Sequence, residues 1–239
     1  MIASLIPSAM ATEQKRRRRI RVAHKAAPNV ARASRPVNAT IPEATLFAFL
    51  ALAVSIFLHF STEKFADPDA FYHFRHAALY AEGNGLSGEF PWIPYSVISK
   101  FSSDIWFGFH LLLIPFTWVG EPVLALQLAG VVITALCLFS VYLACVRLEI
   151  KAAYFWPFVF LFSSAFLLHR LTMLRPHVLS LGLSVLLLAL LLAGKIRSLF
   201  AVAMAITWLH LSLFFVPLIL LGVVVAVRLL NEKYLAWHE

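Results

Sequence analysis

Charge is scarce in this chain. Asp, Glu, Lys and Arg make up 13% of its 239 residues, where soluble domains run near a quarter. With 61% hydrophobic residues and a mean hydropathy of +0.83, that scarcity excludes an ordinary water-soluble fold. Cysteine is nearly absent. The two present, Cys137 and Cys145, lie in one apolar run, where a helix would hold them ~12 Å apart, beyond disulfide reach. They read as packing residues and say nothing of the redox compartment. No Walker sequence, dinucleotide fingerprint, H-E-x-x-H pair or nucleophile elbow is present.

What charge there is sits unevenly. Residues 1–36 hold nine of the 20 Lys/Arg and one of the 12 acids, Glu13, so the rest of the chain is balanced at eleven of each. The run Lys15-Arg16-Arg17-Arg18-Arg19-Ile20-Arg21 is followed by Lys25, Arg32 and Arg35 among Ala, Pro and Asn, with no apolar period. Residues 1–42 therefore read as a basic, disordered tail. The mildly apolar residues 1–9 precede the basic run, the wrong order for a signal peptide. Two roles compete for the tail: nucleic-acid binding, and a polybasic cytoplasmic flank drawn to anionic lipid. An apolar domain from about residue 43 favours the lipid surface, with no nucleic-acid partner.

Stretches free of Asp, Glu, Lys and Arg are 44–62, 105–120, 122–146, 152–169, 176–194 and 198–227. Most approach or exceed the ~20 residues that cross a membrane. The stretch 105–120 is short and carries His110 and Pro115, while 198–227 is long enough for one tilted span or for a tight hairpin turning near His210 with Pro217 as a break. The positive-inside rule chooses the orientation. If the tail is cytoplasmic and 105–120 does not cross, Arg147, Lys151, Lys195 and Arg197 fall inside, joined by Arg228 and Lys233 if 198–227 is a hairpin, against Arg170 and Arg175 outside. If 105–120 crosses, those counts reverse. The sequence thus predicts an all-α polytopic membrane protein with about 5–6 transmembrane helices in residues 43–239, and a long, partly helical first outer loop at 61–121.

That orientation gathers His59, His73, His76, His110, His169, His177 and His210 at or near the outer face, with Asp67, Asp69, Arg75, Arg170 and Arg175. Ionisable groups at membrane depth are costly and point to function. The densest polar stretch runs from Asp67 to His76. Asp67 followed by Pro68 looks like an N-cap followed by Pro at the first helical position. The helix from Asp69 then places Asp69, Tyr72, His73 and His76 on one face. Two carboxylates and a His at one helix start can hold a divalent cation, with Asp67 and Asp69 as metal ligands, or supply a general base. Farther on, Trp92 and Tyr95 suit interfacial anchoring first and sugar stacking second. Arg175-Pro176 marks another helix start, where backbone N–H groups and a guanidinium together suit phosphate, or where the arginine snorkels.

The stretch Asp67–Ser96 resembles the first outer loop of C-type membrane glycosyltransferases, including the oligosaccharyltransferase catalytic-subunit family and its distant bacterial relatives. The residues that carry the likeness are Asp67-Pro68-Asp69 with Phe71, Tyr72, His73 and Arg75. Leu174-Arg175-Pro176-His177-Val178-Leu179-Ser180 and Trp208-Leu209-His210 look like further marks of the bacterial relatives. The resemblance covers about 45–239. It implies transfer of a sugar from a polyprenyl-phosphate-linked donor at the outer face of a bacterial inner (plasma) membrane, with Mg²⁺ or Mn²⁺ needed by some members and no metal by others. Asp67 or Asp69 would activate an acceptor hydroxyl. Arg170, Arg175 and His177 would neutralise the phosphate leaving group, with His73, Arg75, His210, Trp92 and Tyr95 as further substrate contacts. Members usually carry more spans and a soluble C-terminal domain, so 43–239 would correspond to a truncated N-terminal module. The W-W-D-Y-G acceptor motif is absent, and 169–177, where a second acidic motif is expected, holds only His and Arg as charged or titratable residues. The rival reading is a non-catalytic membrane protein that binds polyprenyl phosphate or supports an envelope assembly.

Overall fold

The structure, a computed structural model, describes residues 41–61, 67–83 and 104–238, with side chains up to Asn231. The basic tail and the loop carrying Trp92 and Tyr95 lie outside the described residues. Every regular element among those described is helical: α1 (Ile41–Phe60), α2 (Pro68–Ala81), α3 (Phe107–Leu113) with a 3₁₀ turn over Ile114–Trp118, α4 (Pro122–Arg147), α5 (Trp156–Phe162), α6 (Ala165–Leu171), α7 (Pro176–Leu192), α8 (Ile196–Leu209), a 3₁₀ turn over Leu211–Leu213, and α9 (Phe215–His238).

The helix starts are written in the sequence as polar caps before proline. Asp67 accepts from the Asp69 backbone N–H, and Pro68 opens α2. Glu121 accepts from Val123 and Leu124, and Pro122 opens α4. In both cases the missing proline N–H is one the first turn would leave unpaired anyway. At the far end of α7, Gly194 takes a φ of +66° while Lys195 N–H donates to Leu190 C=O, the left-handed stop that glycine accepts without a Cβ penalty.

α4 is the pillar. α7 packs along it, α1 lies against another side, and α5 and the 3₁₀ turn after α3 complete its surroundings. Phe47 of α1 stacks on Tyr142 of α4 at 4.3 Å between ring centroids, with Phe139 and Phe158 beside them. A polar ladder joins three elements at one level. The Thr134 hydroxyl donates to the Leu171 carbonyl at 2.7 Å and pairs with His59 Nε2 at 3.0 Å. Leu171 is the last residue of α6, so Thr134 satisfies a carbonyl that the helix end leaves open. Cys137 and Cys145 are free and buried in α4.

Three helices are long and apolar enough to cross a membrane: Ile41–Phe60, Pro122–Arg147 and Leu211–Asn231. A fourth arises if α6 and α7, bent by 113°, form one broken span. Of an apolar 18-residue stretch in each, 67% is buried in Pro122–Arg147, only 17% in Ile41–Phe60, and none in Leu211–Asn231. Leu46, Phe49 and Phe57 of α1 and Leu218, Ile219 and Leu230 of α9 stand exposed, as large apolar side chains on membrane-facing helices do. The expected all-helical class stands, and helix length and apolarity mark three candidate spans among the described residues, or four with the bent pair, of the 5–6 expected.

Two stretches depart from single spans. Residues 152–169 do not form one helix. α5 and α6 have seven residues each and part at Ser163-Ser164. There the Ser163 hydroxyl donates to the Phe160 carbonyl and the Ser164 hydroxyl accepts from Leu167 N–H, so side chains end one helix and start the next. Residues 198–227 break at His210–Phe214, upstream of Pro217, which sits in the first turn of α9 where it removes no helical bond. The stretch 105–120 forms the short α3 and its 3₁₀ turn, with Phe109 and Leu113 wholly buried.

Gly182 lets α7 pack closely on α4. A Cβ there would meet the Cys137 carbonyl oxygen at 2.6 Å and its Cα at 2.8 Å, both backbone atoms that cannot swing away. At Gly222 of α9 nothing lies within 4 Å. Gly182→Ala is expected to lower the thermal midpoint of detergent-solubilised protein by the equivalent of about 1–3 kcal/mol. Gly222→Ala should leave it unchanged or slightly raised. Equal midpoints for the two variants would refute the close α4–α7 contact.

Candidate functional site

α2 lies on α3 and its 3₁₀ turn, so its inward face meets Asp104, Trp106 and His110. That face is Ala70, His73, His76 and Ala77, with Tyr72 at its edge. The spacing expected from sequence holds. Tyr72, His73 and His76 share one ring cluster with Trp106 and His110, and Asp69 joins Tyr72 and His73 on the wall of a recess.

Asp104 organises this cluster. Its Oδ1 accepts from the Trp106 backbone N–H at 2.8 Å, and its Oδ2 takes the Tyr80 hydroxyl at 2.7 Å and His110 Nδ1 at 2.5 Å. His110 Nε2 in turn faces His73 Nδ1 at 2.8 Å. A carboxylate only accepts, so His110 carries its proton on Nδ1. Between His110 Nε2 and His73 Nδ1 one ring donates and the other accepts, according to the tautomer each holds. Burial raises the proton affinity of Asp104, but the hydrogen bonds from His110, Tyr80 and Trp106 outweigh it and hold the carboxyl below its usual range. Burial, then the neighbouring His110, pushes His73 down to about 2 and His76 to about 4. Burial, and after it the nearby Asp104, raises the Tyr72 hydroxyl to about 12. Near neutral pH these imidazoles and the phenol are uncharged.

The two motifs separated in sequence meet across the recess. Arg175 donates from Nε to Asp67 Oδ2 at 2.8 Å and from Nη2 to Asp67 Oδ1 at 2.7 Å, a fork-to-fork pair between residues 108 apart. Its Nη2 also lies 2.9 Å from Asp69 Oδ2. The Asp67 side chain is 1% exposed, whereas Asp69 is 56% and Arg175 26% exposed. Arg175 is the residue before Pro176 at the start of α7 and makes no side-chain cap there, since a guanidinium has no acceptor for the free N–H groups; it reaches across to Asp67 and Asp69 instead. The recess between them is about 120 Å³, lined by Asp69, Tyr72, His73, Trp106, Arg175, Pro176, His177 and His210. That is room for about four waters' worth of liquid volume, the scale of one phosphate group. Trp106 Nε1 donates to His210 Nε2 at 3.4 Å, and Leu211 N–H to Ile105 C=O at 2.9 Å, so the break after α8 closes one side. Buried His177 Nε2 and His210 Nδ1 have no hydrogen-bond partner among the described residues.

Of the residues expected at the site, Asp69, His73, Arg175, His177 and His210 line the recess, and Asp67 stands behind it. Arg75 pairs with Glu82 at 3.3 Å on the exposed side of α2. Arg170 lies over the Phe166 ring, 5.0 Å from its centroid. His59 is bonded to Thr134 instead. As metal ligands Asp67 and Asp69 do not fit: their oxygens turn to one guanidinium, which a divalent ion between them would have to displace. Asp104, Tyr80 and Trp106 are absent from the sequence reading. The signal that could have found them is a lone acid at the edge of an apolar stretch, six residues before a histidine. Comparison with family models, with curated proteins and with solved structures finds no match for the chain.

Asp67→Asn keeps the helix cap but loses the charge-assisted fork beneath Arg175. The variant should be destabilised by about 1–3 kcal/mol. The half-exposed Asp69, changed to Asn, should cost less than about 1 kcal/mol. Thermal midpoints in detergent check the ranking, and a larger loss for Asp69→Asn would reverse the assignment of roles.

Proposed function

We propose that the chain is a membrane glycosyltransferase that moves a sugar from a polyprenyl-phosphate-linked donor to an acceptor hydroxyl, with inversion, over this recess. The observation that carries the reading is the meeting of the Asp67-Pro68-Asp69 and Arg175-Pro176-His177 motifs on one phosphate-sized hollow. Asp69 is the base, since it is the more exposed of the two carboxylates and lines the hollow. It takes the acceptor proton as the acceptor oxygen bonds to the anomeric carbon and the bond from that carbon to the phosphate oxygen breaks. Asp67 positions Arg175. The fork to Asp67 uses Nε and Nη2, so Nη1 is the guanidinium nitrogen available to the departing phosphate. His177 and His210 bring further ring nitrogens to the same wall.

The reading includes a finer topology: a cytoplasmic N-terminus, the recess on the outer face of a bacterial plasma membrane, and crossings by α1, α4, α5 with α6, α7, α8 and α9. The end of α1, the start of α4, the α6–α7 junction and the end of α8 then all lie on the outer side. In a chain with Cys137 and Cys145 replaced by Ala, Glu82→Cys should react with an impermeant thiol reagent from outside, and Glu149→Cys only after the membrane is opened. The opposite pattern would invert the orientation.

Transfer is tested with labelled polyprenyl-linked sugars and purified protein. Asp69→Asn should slow turnover by at least ~100-fold while donor binding persists, and Arg175→Lys should weaken donor binding although the charge is kept. Wild-type protein that binds a polyprenyl-phosphate analogue through Arg175 but transfers no sugar would favour the non-catalytic lipid-phosphate binder.

A further inference from the structure

We propose that His76, Asp104 and His110 form a binding site for one divalent transition-metal ion, Zn²⁺ by the chemistry of its donors. One donor atom from each residue lies within 4.8 Å of the other two. His76 and His110 are wholly buried and the Asp104 side chain is 4% exposed. Imidazole nitrogen selects Zn²⁺ and its first-row neighbours, whereas Mg²⁺ and Ca²⁺ prefer oxygen. Tetrahedral Zn²⁺ with ligands at about 2.0–2.1 Å holds its donors roughly 3.3 Å apart, so the widest pair has to close by no more than about 1.5 Å.

The frame for that closure is in place. His76 comes from α2, and Asp104 and His110 from the segment opening α3; the Tyr80 hydroxyl and the Trp106 N–H both fix Asp104. The His76 ring lies nearly parallel to that of His110, 4.3 Å between centroids and 16° between planes, so a small tilt brings a nitrogen of each toward one point. The ion takes the place of the proton between Asp104 and His110. His110 Nδ1 and an Asp104 oxygen each turn a lone pair to the metal, the proton between them leaves to water, and the one proton His110 keeps sits on Nε2; when that proton comes from His73 Nδ1, His73 Nε2 takes one from water in exchange. His110 Nε2–H then donates to His73 Nδ1, the outer hydrogen bond that metal-bound imidazoles have as a rule. Three protein ligands leave a fourth position for water or another small ligand. The site is separate from Asp67 and Asp69 and does not depend on the sugar-transfer reading.

The test uses the full chain, purified in detergent and stripped with a chelator, then titrated calorimetrically with Zn²⁺ alone. One saturable Zn²⁺ per chain is expected. His76→Gln and His110→Gln should each weaken binding by at least ~100-fold, beyond the 10–100-fold usual for an outer partner, which His73→Gln should show. Asp69→Asn should bind Zn²⁺ as the wild type does. Because a ligand variant can fail to fold, Co²⁺ is added to wild-type protein as a second measurement. Visible absorption bands of a tetrahedral nitrogen–oxygen site, bleached by excess Zn²⁺, support the proposal. No saturable Zn²⁺ and no such bands would overturn it, leaving a hydrogen-bonded relay. Equal Zn²⁺ binding by wild type and both folded ligand variants would also overturn it. Protein that binds Zn²⁺ through these residues but transfers no sugar would retain the metal site and remove the transferase.

Discussion

The pair between Asp67 and Arg175 is the contact on which the rest of this site depends. A carboxylate with 1% exposure is tolerable only with a matched counter-charge, because an unpaired buried ion costs several kcal/mol. The guanidinium supplies two parallel hydrogen bonds, and the backbone N–H of Asp69 a third. The pair fixes the start of α2 against the start of α7. With those two ends tied, Asp69, Tyr72 and His73 face Pro176 and His177 across a hollow with Trp106 and His210 at its side. Neither Arg75 nor Arg170 can take this part, since one lies out toward Glu82 and the other over Phe166.

Much of this was legible in the sequence because it rests on local chemistry. The charge-free runs 44–62 and 122–146 contain α1 and α4 nearly in full, and Asp67-Pro68 is the cap and first turn of α2 as its residue types require. The shared face of Tyr72, His73 and His76 follows from helical spacing alone. Residues 152–169 misled because apolarity counts length and not continuity, and two adjacent serines broke the helix within it. Asp104 was hidden for another reason. Its importance comes from three donors that fold onto it, one of them on α2, and no spacing in the chain announces that. The role of Asp67 was half legible, as a cap but not as the partner of an arginine 108 residues away.

The bundle is held in two different ways. Around α4 the contacts are close and small: Gly182 against the Cys137 backbone, Gly130 against the His59 ring, Phe47 flat on Tyr142. Small residues that let backbones approach are what helix association in lipid relies on, where burial from water gives no drive. Around Asp104 the contacts are polar and directional, with hydroxyl, imidazole and amide donors converging on one carboxylate. The first region sets where the helices stand, and the second sets how the rings are turned.

The 108-residue gap between Asp67 and Arg175 also has a meaning in time. At the usual ~5–20 residues per second of synthesis, the carboxylate emerges roughly 5–20 s before its arginine exists. During that interval α1 and then α4 can enter the bilayer, but Asp67 has no counter-charge and stays hydrated. His210 and the Leu211–Ile105 bond come later still. The recess is therefore completed late, with only α9 still to come. A nascent chain halted before residue 175 would have its first helices inserted and no recess.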